Sequence, residues 1–548
     1  MQVWIIATDT LFHAQKALGK PVAAIIDEGL WQKGIRGVEA NEDFDWSVAI
    51  DSISNEPPPP KTPENISDFG PRELNFLHLR YQLASALRAH PNNGGIEREY
   101  FDALSLNATS CKDALSTEWR HYAADLKKLG QHPGMSELEL TKLASKYNLI
   151  DRIQHTRRVI QIWEELREFL NRADITVSGR LTLAQKNGQR IIKWRGVKQI
   201  STQFKVKTLL LHATLPPLSI LQVYHPSVEI VANIKVKLPK SVHIRQVLGT
   251  PTSARKLRRE QTLLEVRRYI LARYLELNRP LTVVICQQKV EEWLKASGLP
   301  DDIAIEHYNN ITGLDHFKDV RLMLLIGRTA PGPQAVEALT AALTGKCPTP
   351  ATTNRNGFRW YNTVERGIRL RDGTGIATKG DQHPDPDVEA IRFQIHEGEL
   401  VQALGRARAV NRTAATPLDV HLLFDTCLPI TVDEVARWQT PTPLIETAIN
   451  GVMLTSPVDL VKIWPELWPN EKAAYRTLQA EMPKLPNFEQ LEYQPEGPKM
   501  KKRVGYFDLT LIPDPREWLK TRLGREIKIS RERLTHDSIN TITRTNPL

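Results

Sequence analysis

The sequence predicts an α/β protein of two parallel-sheet domains, the first interrupted by an all-helical insertion, followed by a mainly helical C-terminal accessory region. Three observations predict it. Short apolar runs ending in polar residues recur at 22–28, 206–214, 281–287 and 320–328, the pattern of strands buried on both faces of a parallel sheet. Between 72 and 173 the apolar residues fall at helical spacing through several successive segments. Past Asp425 these runs give way to short capped helical patterns broken by prolines.

Composition bounds the class. A chain of 548 residues is long enough for two to four domains, on the rough prior of one per ~150 residues. With 41% hydrophobic and 25% charged residues it is globular, and no run approaches the ~18 apolar residues of a membrane helix. The start, Met1 to Asp9, has no basic leader or small-residue cleavage site, so a cytoplasmic protein with no membrane association is expected. Cys111, Cys286, Cys347 and Cys427 are scattered without metal-ligand spacing, which supports neither a zinc site nor a disulfide framework. A net charge of +10 favours a polyanionic partner. From Lys499 onward 12 Lys/Arg face 6 Asp/Glu, so the tail carries +6 of that excess.

In chain order, residues 2–8 read as an apolar strand, 14–18 as a short helix and Val22–Ile26 as a buried strand. Ligands of parallel sheets sit beyond the carboxyl ends of the strands, where Asp27 and Glu28 fall. A carboxylate there can hold magnesium while its neighbour orients a water; a strand merely ending in two acids is the bland alternative. The Pro-rich stretch 55–64 is extended polyproline and marks a boundary. Helices are expected over 72–90, 96–104, 116–129, 136–147 and 151–173, then a hairpin turning at Asn187-Gly188. The strand 206–211 ends in His212-Ala213-Thr214.

A basic helical stretch from Ser253 leads into further strands at 281–285, 303–307, 320–326 and 420–424. Between the last two lies an arm at about 351–380, in which Arg359-Trp360-Tyr361 interleaves aromatics with arginine before an Asp-Gly turn. That composition suits stacking on bases and contact with phosphates; a solvated ribbon is the alternative. Gly398 to Arg412 has apolar residues near helical spacing together with Gln402 and the arginines Arg406, Arg408 and Arg412. Such a planar, always-charged fork suits phosphate. Capped patterns at 456–464 and 470–478 read as a helix-turn-helix or an ordinary helical hairpin. Lys501, Lys502 and Arg503 add a basic cluster.

Five of these stretches resemble the motifs of superfamily 2 (DExx-box) helicases, of a type found on bacterial mobile elements. Val22–Leu30 is similar to the DExx box, with Gly29 and Leu30 departing from the commoner Ala-Asp or Ala-His. Leu209–Leu215 resembles the Ser-Ala-Thr motif, Pro280–Cys286 the first strand of the second motor domain, Ile311–Asp315 the Gly-x-Asp motif, and Gln402–Arg412 the Gln-x-x-Gly-Arg-x-x-Arg motif. Their order and spacing follow the family over most of residues 1–428.

The resemblance implies two RecA-like domains, the first incomplete. The expected division is 1–54 and 205–250 for the first, 65–204 for the insertion with a terminal β-hairpin, 251–428 for the second and 429–548 for the accessory region. It implies ATP and Mg²⁺ as cofactors, DNA, single-stranded or forked, as partner, and a role in DNA replication or maintenance. Asp27 and Glu28 are the implied catalytic carboxylates, Asp27 the metal ligand, and Ala213 and Thr214 the coupling motif. Gly313, Asp315, Gly405 and Arg408 become nucleotide-binding residues, Gln402 and Arg406 catalytic ones. The pattern's second arginine falls on Ala409, and of the flanking pair Arg412 is the better candidate. Arg359, Trp360, Tyr361, Lys501, Lys502 and Arg503 are the expected nucleic-acid contacts. The phosphate-binding loop Gly-x-x-x-x-Gly-Lys-Ser/Thr does not occur in the sequence. A truncated or split helicase is therefore expected, whose separately encoded N-terminal segment carries that loop; a catalytically silent nucleic-acid-binding protein is the alternative.

Overall fold

The computed structural model describes residues 3–530 except 16, 28, 39–45, 131–134, 136–141, 144–145, 309, 311–316, 354–356 and 480–482. The chain forms two compact units. The first comprises Met1–Asn233, Pro331–Thr363 and Asp381–Ile395; the second comprises Ile234–Ala330, Val364–Gly380 and His396–Leu548.

In the first unit the strand Ala23–Asp27 pairs in parallel with Lys207–Leu211. These two make up the whole of that parallel sheet among the described residues. Residues 3–7, within the stretch expected as a strand, form none; a 3₁₀ turn follows at Thr8–Phe12, and the described residues of the helix expected at 14–18 are not helical. An apolar run becomes a strand only where an edge pairs its amides, and none does so here. Ile5 is consequently 98% exposed.

The insertion's long helices are Pro71–Ala89, Ala108–Leu129 and Tyr147–Asn171. Asn107 caps the second through its side chain, accepting from Thr109 and Ser110 amides at 3.0 Å each. The helix expected at 136–147 lies largely outside the described residues. The segment 96–104 is corrected: it begins as the strand Gly94–Glu97 and is helical only over Glu99–Asp102. Gly95 is the reason, since a Cβ there would stand 2.5 Å from the Ser178 carbonyl oxygen of the neighbouring strand.

That strand completes a four-stranded antiparallel sheet with Ser47–Ala49, Val177–Lys186 and Gln189–Trp194. The last two form the expected hairpin, whose Asn187 and Gly188 take φ of 51° and 77°. The long helices bury Leu83, Leu87, Trp163 and Leu166 against Leu181 and Ile192 of this sheet. The buried Glu118 is held by a bidentate Arg80 at 2.8 and 2.9 Å.

The second unit is built on six strands, Val242–Leu248, Thr282–Cys286, Ile303–His307, Leu322–Ile326, Leu418–Leu423 and Glu434–Arg437. Every neighbouring pair is parallel, and numbered in chain order the strands lie 3-2-4-5-1-6. Strands two and four are buried at every residue, as a sheet covered on both faces requires. One face is covered by helices Glu260–Glu276 and Gln288–Ala296, the other by the helix Glu399–Gly405.

The accessory region carries the expected short helices Pro457–Ile463 and Glu471–Leu478, capped by Ser456 and Asn470 side chains. With them comes a four-stranded antiparallel sheet, Val452–Leu454, Arg503–Phe507, Glu489–Pro495 and Ile527–Ser530 in spatial order, for which the sequence reading made no provision. Helices and sheet share one core through Leu460, Trp468, Tyr493 and Phe507.

Candidate functional site

In the first unit the register of the two parallel strands sets the geometry. Asp27 pairs with Leu211, so the chain leaves both strands at the same level and the exposed Asp27 stands beside His212-Ala213-Thr214. The two departures from the commoner DExx pattern have local causes. Gly29 has φ 67°, a left-handed conformation that favours glycine. Leu30 is fully buried in a core with Phe12, Trp31 and Tyr224. Glu28 lies outside the described residues, as do Gly313 and Asp315.

In the second unit the arginine helix is a short α-helix between two distortions. A π-helical turn at Gln394–Gly398 leads into Glu399–Gly405, and a 3₁₀ turn, Ala409–Asn411, follows. Leu400, Ala403 and Leu404 are buried against Val242, Val420 and Leu422 of the sheet. Gln402 and Arg406 are half-buried, and Gly405 and Arg408 are exposed. Arg408 takes φ 49°, a strained conformation for a residue with a Cβ, and this breaks the helix before Arg412.

Arg412 is then turned back onto the helix it follows. It is 6% exposed, and its Nε and Nη2 both donate to the Ala407 carbonyl, at 3.1 and 2.7 Å. Burial pulls its guanidinium below the usual arginine range, with Asp319 opposing. The donors of Arg412 are thus spent on the Ala407 carbonyl, while Arg408 is the flanking arginine that reaches solvent.

The π turn places His396 over the carboxyl ends of the sheet, where a buried polar cluster gathers. His396 Nε2 is 3.2 Å from Thr426 Oγ1, which also accepts from Arg328 at 3.3 Å. Thr252 donates to the Leu423 carbonyl at 2.7 Å and pairs with Thr250 at 2.8 Å, while Asp425 accepts the Gly249 amide at 2.6 Å. Gln246 bonds the Phe424 and Thr426 carbonyls at 3.1 and 2.9 Å. The sequence reading missed this cluster. Its signal was present, because three parallel strands run into Gly249-Thr250, Gly327-Arg328 and Asp425-Thr426, and single-turn π bulges are frequent at functional sites.

The expected nucleic-acid contacts divide. Arg359 is bidentate to Glu337 at 2.7 and 2.6 Å. Tyr361 is buried, donates to the Pro331 carbonyl at 2.7 Å and has its hydroxyl pushed well up by burial. Trp360 stacks on the exposed Phe358 at 5.7 Å and 17° between planes. Arg503 is paired to the buried Asp459, which also accepts from Tyr493 at 2.6 Å. Lys501 and Lys502 are exposed, with Lys502 3.0 Å from Glu492. Arg359, Tyr361 and Arg503 therefore hold the structure together, whereas Trp360 is half-buried and Lys501 and Lys502 face solvent.

No family model matches the sequence, and no curated protein matches it. Among solved structures, one titled XPD_APO is similar at 12% identity and a TM-score of 0.28, over 75% of this chain and 76% of its own. The X-ray structure of the Legionella pneumophila ATPase DotB aligns at 14% identity and a TM-score of 0.09, over 42% of this chain and 64% of its own. Likenesses this distant carry no functional weight. The chain's own topology defines the class: an α/β protein with an all-parallel sheet of order 3-2-4-5-1-6, a further parallel pair and helical regions.

Proposed function

We propose that the chain is part of an ATP-dependent DNA helicase or translocase of superfamily 2, a fragment or split subunit that works with a further N-terminal segment bearing the phosphate-binding loop. The observation that carries this reading is the Asp27 to Leu211 register. It sets side by side two stretches about 185 residues apart in sequence, at the strand ends where parallel sheets bind ligands. The uncovered apolar face of the same strand pair supports a further segment: Ile25 is 71% exposed, and its cross-strand neighbours Leu209 and Leu211 are 44% and 45% exposed, whereas parallel strands are ordinarily buried on both faces.

In this reading Arg406 neutralises charge on the transferring phosphoryl group, Gln402 and Arg408 assist, and Thr214 couples nucleotide state to strand movement. Asp27, an exposed carboxylate at a strand end, fits magnesium, which keeps several waters and takes one or two carboxylates plus phosphate oxygens. The sequence carries no Gly-x-x-x-x-Gly-Lys-Ser/Thr loop to cradle the β- and γ-phosphates. Single-stranded or forked DNA is the proposed partner, through Trp360, Lys501 and Lys502, and the cytoplasm the proposed compartment. No described helix is long and apolar enough to cross a membrane.

The absent phosphate loop favours a second reading, a catalytically silent DNA-binding protein on the same fold. ATP turnover with and without single-stranded DNA separates them. The chain alone is expected to bind DNA without hydrolysis, and the chain joined to a loop-bearing segment to hydrolyse ATP at DNA-stimulated rates. DNA-stimulated turnover by the chain alone, within the ~1–10³ s⁻¹ range of enzymes, would refute the need for that segment. Silence of the joined protein would favour the second reading.

A further inference from the structure

The face of the six-stranded sheet opposite the arginine helix carries a cavity of about 620 Å³, within the ~300–1,000 Å³ typical of small-molecule sites. It opens between the helix Glu260–Glu276, the edge strand Glu434–Arg437 and residues 439–445 and 483–484. Val247 and Tyr269 of its wall belong to the core on that face, whereas Leu400 and Leu404 of the arginine helix belong to the core on the other. The thickness of the sheet therefore separates the cavity from Arg406, and nothing in the proposed motor reaction uses it.

Its wall is aromatic and rigid. Tyr269 stacks on Trp438 at 5.3 Å and 27°, and its hydroxyl bonds Nδ1 of the buried His421 at 2.8 Å. The Arg273 guanidinium stands 5.5 Å from the Tyr269 ring centroid, in cation–π range.

The lining is also unbalanced in charge. Four cations, Arg245, Arg273, Arg437 and Lys484, face two carboxylates, Glu276 and Glu434, which leaves +2. Both carboxylates are already engaged, Glu434 by Arg245 at 2.9 Å and Glu276 by Arg273. Arg437 and Lys484 are exposed, and their side chains make no hydrogen bond or ion pair with the described residues. The buried Nε of Arg273 has no acceptor. His421 registers the same field: burial first, then Arg273, Arg245 and His243, hold its imidazole well below the usual histidine range. A donor-rich, cation-rich concavity whose own acids are spent is complementary to an oxyanion with several acceptor oxygens.

We propose that this cavity binds a phosphate-bearing ligand, its phosphate held by Arg437 and Lys484 and the attached group lying against the Tyr269 wall. A free polyphosphate or nucleotide and the 5′-phosphorylated end of a nucleic acid present the same chemistry.

The test titrates the full chain calorimetrically with pyrophosphate, and separately with one short oligonucleotide bearing a 5′-phosphate or a 5′-hydroxyl. Two variants are compared: Arg437→Ser with Lys484→Ser, and a control that removes two exposed charges elsewhere in the unit, Arg255→Ser with Arg258→Ser. All the altered residues are exposed, so the fold is retained. Saturable pyrophosphate binding, weakened at least tenfold in the cavity variant and unchanged in the control, supports the proposal with a free ligand as source. A tenfold preference for the phosphorylated oligonucleotide that the cavity variant abolishes supports it with a nucleic-acid end as source. No binding of pyrophosphate together with no discrimination between the oligonucleotides overturns it, as does binding that the cavity variant leaves intact or that the control weakens equally.

Discussion

Arg412→Ala is the substitution whose consequence the structure predicts most sharply, because the sequence pattern and the geometry assign that residue different work. Its guanidinium is buried and spends two donors on the Ala407 carbonyl, at 3.1 and 2.7 Å. A hydrogen bond from a charged donor is worth about 1.5–3 kcal/mol, and an orphaned buried acceptor costs about 1–3 kcal/mol. The desolvation of the guanidinium, visible in its lowered pKa, offsets part of this, so a net loss of about 2 kcal/mol is expected. For a unit of this size that is a fall of about 4–8 °C in midpoint. Arg408→Ala removes an exposed side chain and keeps the same strained φ, so its effect should stay within about 0.5 kcal/mol. Urea unfolding followed by tryptophan fluorescence measures both, fitted to the transition of the second unit. In an ATP-hydrolysing assembly held well below that transition, turnover should fall more for Arg408→Ala than for Arg412→Ala. An Arg412→Ala protein as stable as the parent, with turnover abolished, would refute the reasoning and return Arg412 to the nucleotide.

Two further outcomes follow from the same coordinates. His421 has an ordinary pKa of 6.5 in the unfolded chain and one well below that when folded, so the unfolded state binds the extra proton in acid. Its contribution to stability is complete above pH 6.5 and declines by about 1.4 kcal/mol per pH unit below it, until the folded pKa is reached. His421→Gln should flatten that part of a urea-midpoint against pH profile; an unchanged slope would show that His421 is not buried neutral. Binding to single-stranded DNA should weaken with salt, and Lys501→Glu with Lys502→Glu should reduce the slope by about 0.7 per lost phosphate contact. Trp360→Ala should weaken binding with little change in slope, and a large change would mean that Trp360 positions charge rather than stacks.

The fold was legible where one physical signal sufficed. The strands expected at 281–285 and 320–326 form as Thr282–Cys286 and Leu322–Ile326, parallel and buried at every residue, and Asn187-Gly188 supplies the two positive φ angles its hairpin needs. The sequence was misleading where pairing decided: Val3 to Ile6 has strand composition but pairs with no strand among the described residues, and the start of the helix expected at 96–104 belongs instead to the strand Gly94–Glu97, which sits against Val177–Lys186. The alternation in Glu489–Pro495 marks Leu491, Tyr493 and Pro495 as the buried face of a strand, a signal masked by the charged surroundings. At the site, residue types located Asp27 and the arginine helix, but not which arginine serves. That depends on the left-handed turn at Arg408, which residue type does not encode. Arg359 and Tyr361 likewise resemble a solvated arm until Glu337 and Pro331, on a helix and its lead-in, come into contact with them.

The most direct test of the central claim is ATP turnover by this chain joined to a segment that supplies a phosphate-binding loop, measured with and without single-stranded DNA, for the parent and for Arg406→Ala. The account predicts DNA-stimulated hydrolysis that Arg406→Ala reduces by a factor approaching the ~10³–10⁵ of arginine fingers, with DNA affinity unchanged. Turnover that survives Arg406→Ala, or DNA binding lost while turnover persists, would contradict it.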